Sequence, residues 1–165
     1  MSHPTEVERV WQIIEKVGVC MLTTCFEGGL RARPLEARPD RTSSRLLFVI
    51  DVHSAKHAEV DGWPEVGLVF IDAADKAYLS ITGRARIVDD SDLRLAAWRQ
   101  NDAVWWPAGP NDPAVCVLVV EPVTAELWDG PSSVAVVAYE FAKARATGTE
   151  PNLGENRKVT VDMED

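Results

Sequence analysis

Cationic side chains are scarce in this chain: Lys and Arg number 17 against 26 Asp and Glu, leaving a net charge of −9 at pH 7. Such a chain repels a polyanionic backbone instead of releasing its counterions, which disfavours sequence-independent nucleic-acid binding. Long hydrophobic runs are lacking too. Stretches such as Ala114 to Val120 fall well short of the ~20 apolar residues that a membrane helix needs, and Met1 to Lys16 carries Glu6, Glu8 and Glu15 with no apolar leader core. We expect a soluble, cytoplasmic protein. Cysteine is limited to Cys20, Cys25 and Cys116, an odd number without a close pair, which argues against a disulfide framework and a zinc site and reads as core thiols. No nucleophile elbow, His-Glu-x-x-His signature, Walker loop or dinucleotide glycine fingerprint is found. His53 and His57 are four apart but have no third ligand nearby, so no metal is expected. If the chain is an enzyme, a bound cofactor supplies the reactivity and the protein supplies orientation and electrostatics.

What is present suffices for one core. At 165 residues and 46% hydrophobic content, the chain fits a single domain, read as 1–147, with a polar tail over 148–165. Thr5 precedes Glu8 at capping-box spacing, and Val7, Val10, Trp11 and Ile14 recur at helical intervals, predicting an amphipathic helix over Glu6 to Lys16. Val19 to Thr24 reads as a strand. Glu27-Gly28-Gly29 then supplies a tight turn into a second strand over Leu30 to Leu35. Further β-type runs cover Leu46 to Asp51, Val66 to Asp72, Ala77 to Val88, Val115 to Glu121 and Thr124 to Trp128. Helices are expected over Ser54 to Asp61, Ser91 to Gln100 and Ala138 to Thr147. They punctuate the strands without alternating with them, which predicts an antiparallel barrel of six or seven strands and disfavours a doubly wound sheet. The segment Asn101 to Pro113, with Trp105, Trp106 and three prolines, is too aromatic for a solvated linker and is expected to pack on something. From Gly148 onward, with Pro151, Gly154 and the acidic Glu164-Asp165 end, a loosely ordered arm is expected.

The most informative window is Asp51-Val52-His53-Ser54-Ala55-Lys56-His57, where a strand gives way to a helix. Ser54 is a natural N-cap, so Lys56 falls in the first helical turn, where the positive dipole end disfavours a cation. An anion reverses that sign. A phosphate held by Lys56, the Ser54 hydroxyl and free backbone N–H groups is the physical reading; the bland alternative is a lysine extended into water. Arg31 and Arg33 share one face of the second strand, and Pro34 places the strand at an edge, at a bulge or beside a ligand. Trp11, Trp98, Trp63 and Trp128 read as packing residues. Trp105 and Trp106, in their proline-bounded loop, can stack on a planar ring or fill a subunit interface.

Taken in order, these motifs resemble the general stress protein branch of the pyridoxamine 5'-phosphate oxidase-like family. The resemblance runs from the first helix to about Trp128. It rests on Met21-Leu22-Thr23-Thr24, Arg31 to Leu35, Phe48 to Lys56 with its Ser-x-Lys element, and Tyr78 to Ala85. Trp105-Trp106-Pro107-Ala108-Gly109-Pro110, Asp112-Pro113 and Ala125 to Asp129 complete it. It implies a mainly β fold with flanking helices, a six-stranded antiparallel FMN-binding split barrel, and a homodimer with FMN at the interface, FAD being the alternative. Arg33, Pro34, Leu35, Val49, Ile50 and Asp51 are then expected to line the flavin, Ser54 and Lys56 to hold its phosphate, and Tyr78 and Trp106 to add contacts, reaching across the dimer. Ala55 stands where the authentic oxidases carry a second phosphate-binding cation, and Ala138 to Asp165 has no counterpart of their substrate-holding segment. Vitamin B6 oxidation is therefore not expected. Two functions stay open: an FMN-dependent oxidoreductase acting on an unidentified small molecule, and a non-catalytic flavin-binding or sensing stress protein. A barrel adapted to deazaflavin or haem, and a cofactor-free structural dimer, are the remaining alternatives.

Overall fold

Thr5 starts the first helix as its spacing predicts: Oγ1 accepts a hydrogen bond from the Glu8 N–H at 3.2 Å. Helix α1 runs over Glu6–Val17 and buries Val10, Trp11, Ile13 and Ile14, each contributing about 1.5–3 kcal/mol on full burial. Its last bond runs from the Gly18 N–H to the Ile14 carbonyl at 2.9 Å, and the φ of 73° at Gly18, which suits glycine, then turns the chain out of the helix. These details come from a computed structural model that describes residues 5–129, 134–151 and 157–163, with 134–137 and 157–159 described by backbone alone.

Eight strands form one antiparallel sheet among the described residues: β1 Val19–Phe26, β2 Gly29–Glu36, β3 Arg38–Asp40, β4 Arg45–Asp51, β5 Glu65–Asp72, β6 Ala77–Val88, β7 Val115–Asp129 and β8 Arg157–Asp162. The strand order is β2-β1-β5-β6-β7-β4-β3, with β8 beside β7. Only Ala37 separates β2 from β3, yet these strands are the two ends of that order. The sheet therefore closes on itself through one bent segment, and the Ala37 N–H, bonded to the Gly18 carbonyl at 2.8 Å, fixes the bend. Leu22, Phe48, Leu68, Phe70, Leu79, Ile81 and Leu118 fill the interior together with the buried face of α1.

The mainly β class agrees with the sequence reading, but the strand count exceeds the expected six. One extra strand is the short β3. The other, β8, replaces part of the expected loose arm: it pairs with β7 from Thr124↔Asp162 to Asp129↔Arg157, and Val161 and Met163 are buried. Polar composition concealed an alternation in which only every second residue needs to be apolar. Gly154 and the Glu164-Asp165 end, like Gly130 and Pro131 after Trp128, lie outside the described residues.

Two expected strands merge into β7. Val123 is the extra residue of a bulge, since Thr82 pairs with Thr124 and Gly83 with Pro122. A bulge is where a strand tolerates a proline without an N–H.

The helices after β4 and β6 are α2 at Ala55–Gly62 and α3 at Ser91–Ala97, and α4 covers Val134–Thr147. The third expected helix ends early because the chain turns extended at Trp98 and continues as a 3-10 segment over Gln100–Val104. Trp98 and Trp106 thereby reach a second apolar cluster with Leu47, Val49, Ala97, Val115, Val117 and Val119 on the outer side of β4 and β7. Of the aromatic loop, Trp106 packs as expected, while Trp105 is exposed. Trp63, expected to pack, is exposed too.

Candidate functional site

Where β4 ends, Asp51 organises the exit. Its Oδ1 accepts the His53 N–H at 2.8 Å, its Oδ2 accepts the Trp106 Nε1–H at 3.4 Å, and its carbonyl accepts the Ser54 N–H at 3.0 Å. This turn delivers the chain into α2 with Ser54 in extended N-cap geometry. The Ser54 hydroxyl makes no capping bond; its Oγ is buried and has no partner among the described residues. A buried hydroxyl without a partner is expensive and points to a group that completes it.

Lys56 follows, half-buried, and no ion pair to it is found among the described residues. Burial, and then the positive charge of Arg33, push its pKa below the ordinary lysine value, with Glu59 and Asp51 opposing more weakly. A part-desolvated ammonium in the first turn of a helix, with the charge of Arg33 acting on it, is a group whose charge an anion would complement.

Lys56 stands at a cavity of about 390 Å³. It is lined by Pro34, Leu35 and Glu36 of β2, Arg38 of β3, Val49, Ile50 and Asp51 of β4, and Asp102, Trp105 and Trp106 of the segment after α3. Trp106 leans against Trp98 with ring centroids 6.4 Å apart and planes tilted by 56°. Trp105 is 77% exposed. Of the residues expected from sequence, Pro34, Leu35, Val49, Ile50, Asp51, Lys56 and Trp106 come together here.

Arg33, Ser54 and Tyr78 do not line this cavity. Ser54 lies two residues before Lys56 at the start of α2. Arg33 turns to Glu59 of α2, its Nη2 donating to Oε2 at 2.5 Å and its Nη1 to the Thr24 hydroxyl at 2.7 Å. Arg31 donates to the other Glu59 oxygen at 2.6 Å and lies 4.6 Å over the Phe26 ring. Burial alone raises the Glu59 pKa, but the Thr24 and Arg33 hydrogen bonds outweigh it and hold the carboxyl below its ordinary value. Tyr78 is exposed on β6, opposite Ile71 of β5 and Trp128 of β7.

Sequence reasoning missed Glu36, Arg38 and Asp102. The available signals were a second Arg-Pro step, Arg38-Pro39, five residues after Arg33-Pro34, and a carboxylate at the entrance of the apolar loop Ala103 to Trp106.

The family model described as pyridoxamine 5'-phosphate oxidase like matches residues 5–152. Protein bli-3 of Neurospora crassa is 24% identical over 123 residues, which is 70% of this chain; the chain spans 59% of that relative's length. A candidate general stress protein 26 from Jannaschia sp. CCS1 has a TM-score of 0.73 at 24% identity, over 93% of this chain and 95% of that one. The general stress FMN/FAD binding protein of Xanthomonas citri superposes with a TM-score of 0.68 at 23% identity, over 76% and 89% of the two chains. A protein of Clostridium acetobutylicum related to general stress protein 26 reaches 0.70 at 13% identity, over 94% and 93%. At these identities the likeness establishes the fold, an antiparallel split barrel with flanking helices.

Proposed function

Because the chain belongs to the pyridoxamine 5'-phosphate oxidase-like family, we propose that it binds FMN and uses it as an oxidoreductase on a small molecule. The observation that carries this reading is a half-buried Lys56 at the cavity, without an ion pair among the described residues, two residues after a Ser54 whose buried Oγ finds no partner among them. A phosphomonoester supplies the acceptor oxygens and the negative charge that both groups need. FMN ends in such a group, which favours it over FAD. The FMN/FAD-binding description of the Xanthomonas citri protein supports the same ligand class.

Bound flavin supplies hydride or electron transfer, and the chain's residues hold and shield it. Lys56 and Ser54 anchor the phosphate. Val49, Leu35 and Trp106 offer apolar surface along the cavity, and Asp51 steadies the Trp106 indole through its N–H. Arg33, fastened to Glu59, acts at one remove by adding positive potential around Lys56.

A homodimer belongs to the same proposal. The outer face of β1, β5 and β6 exposes Val19, Met21, Val69, Ile71 and Tyr78, with Met21 directly across from Val69 and Ile71 across from Tyr78. A contiguous apolar sheet face of this kind suits a second copy of the chain. Tyr78 would then approach the partner's cavity.

The cavity volume favours a second reading. About 390 Å³ lies near the lower end of the roughly 300–1,000 Å³ range of ligand pockets. A flavin-binding protein without turnover needs no room beyond that for the ring system itself, so one chain's cavity suffices for it.

The deciding experiment is an absorbance titration of the purified protein with FMN, repeated with Lys56→Ala. Flavin bands near one per chain, and binding weakened roughly ten- to hundredfold by the variant, match the loss of a charge-assisted phosphate contact. No flavin bound by the unmodified chain would overturn the proposal. Reduction of bound flavin by NADH or NADPH, followed by reoxidation with an acceptor, separates the oxidoreductase from the non-catalytic reading.

A further inference from the structure

We propose that the Arg38–Asp102 pair reads the pyrimidine edge of the flavin ring, donating to a carbonyl oxygen while accepting from the adjacent ring N–H. This rests on the flavin reading above and assigns the end of the cavity that the phosphate anchor leaves unexplained.

Placement comes first. Arg38 of β3 lies directly across from Leu47 of β4, so its side chain shares a face with Leu47, Val49 and Asp51. Lys56 follows Asp51. Leu47 and Asp51 are four residues apart, about 13 Å along a strand. The cavity lining thus includes two cations, Arg38 across from Leu47 and Lys56 beyond Asp51, and the two differ in kind. Lys56 has no carboxylate partner among the described residues, whereas Arg38 is bound to Asp102.

The bonding of Arg38 is incomplete. Its side chain is nine-tenths buried. Nη2 donates to Asp102 Oδ1 at 2.6 Å and stands 3.5 Å from Glu36 Oε2, and Nη1 donates to the Glu36 carbonyl at 3.0 Å. Its Nε has no partner among the described residues. A guanidinium has five N–H donors, and only two are engaged by these hydrogen bonds. Asp102 is also part-used: Oδ1 takes Arg38 and Oδ2 takes the Arg99 N–H at 2.8 Å, leaving each oxygen with acceptor capacity. Buried polar groups are ordinarily satisfied, so a pair with capacity left on both members, at a cavity wall, awaits a ligand.

The charge balance selects that ligand. A second phosphate is unsuitable, because Asp102 and Glu36 beside Arg38 repel an anion. A neutral group that offers an acceptor next to a donor fits a guanidinium next to a carboxylate. The C=O and N–H of the flavin pyrimidine edge are such a group, on a planar ring of the kind that can lie against Trp106.

The test compares riboflavin with N3-methylriboflavin, in which the ring N–H is replaced, by fluorescence titration of the full chain. Neither ligand carries a phosphate, so the Lys56 anchor does not enter. The expected result is riboflavin preferred by roughly tenfold or more, the worth of a hydrogen bond to a charged group. The preference disappears in the double variant Arg38→Met, Asp102→Leu, which removes both charges together and so leaves neither orphaned. It persists in Lys56→Ala. Equal binding of the two flavins by the unmodified chain overturns the assignment without needing a variant that folds. So does a preference retained by the double variant with an intact melting transition. In either case FMN binding that depends on Lys56 leaves the cofactor reading standing; absence of all flavin binding removes both.

Discussion

Glu59 and Arg33 are joined by a 2.5 Å hydrogen bond, with the Thr24 hydroxyl accepting from Arg33 and donating to the same Glu59 oxygen. Glu59 is only 6% exposed, so the carboxylate is stable there because Arg31, Arg33 and Thr24 surround it. Breaking a buried pair by removing one partner costs about 3–5 kcal/mol. Glu59→Ala is expected to lower stability towards that range, read from the shift of its urea midpoint.

The same carboxylate predicts an acid sensitivity with a definite sign. Its folded pKa is lowered from 4.5, so its stabilisation is fully present above the unfolded value and is lost as pH falls through the folded one. Glu59→Gln removes this contribution. Wild type and variant are expected to converge in stability as pH drops below about 4, and a constant gap down to strong acid would refute the assignment.

Lys56 carries the opposite expectation. Its folded pKa is lowered from 10.5, chiefly by burial and then by Arg33. Between that lowered value and 10.5 the unfolded chain binds more protons, so this group makes stability rise with pH across the window; below it, the burden is fully present. Lys56→Met is therefore expected to melt no lower than wild type at pH 7 and to rise less on going alkaline, while FMN binding falls. A site residue whose removal leaves the fold intact differs from a structural one, and thermal melts across pH distinguish them.

What was legible in the sequence is what depends on near neighbours. Thr5 to Glu8 lie within one helical turn and capping spacing locates them, and Ser54 takes the N-cap position its residue type suggests, though without a side-chain capping bond. The alternation that put Arg31 and Arg33 on one face was also sound, since both reach Glu59. It could not name that partner, because α2 meets β2 only after the sheet has folded. Asp102 and Arg38 are 64 residues apart and meet because β2 and β3 are one bent segment, a feature of closure with no local signature. The strand β8 was hidden for another reason: polar residues on its outward positions mask the buried Val161.

Gly83 is held to its identity by contact. A Cβ there would sit 2.8 Å from the Glu121 carbonyl oxygen and 2.8 Å from Val120 Cγ1, at the register shift between β6 and β7. Neither the backbone nor the buried valine has room to move. Gly83→Ala is expected to destabilise by about 1–3 kcal/mol, as overpacking does, and calorimetry showing an unchanged melting temperature would contradict this.

The three thiols should differ in reactivity. Burial pushes Cys20 up to about 12 and Cys116 up to about 11, so neither forms appreciable thiolate at pH 8. Cys25 is part-exposed on β1. A disulfide reagent is expected to titrate one thiol per native chain quickly and all three after unfolding, and Cys25→Ser should abolish the fast phase.

The apolar face of β1, β5 and β6 gives the last prediction. Ile71 is 53% exposed and Val69 37%, yet both lie on a strand whose alternate residues Val66, Leu68 and Phe70 are buried. Valine and isoleucine suit a strand even in water, but a second copy laid on this face adds to that by removing their surface from solvent at about 25 cal/mol per Å². Ile71→Glu places a charge at the centre of that contact without touching the interior, so the monomer fold should survive. Light scattering is expected to find wild type at twice the chain mass and the variant at the chain mass, with unchanged circular dichroism. If Tyr78 approaches the partner's cavity, the variant also binds FMN more weakly although Lys56 and Ser54 are intact. A wild-type monomer that binds flavin fully would place the whole site within one chain.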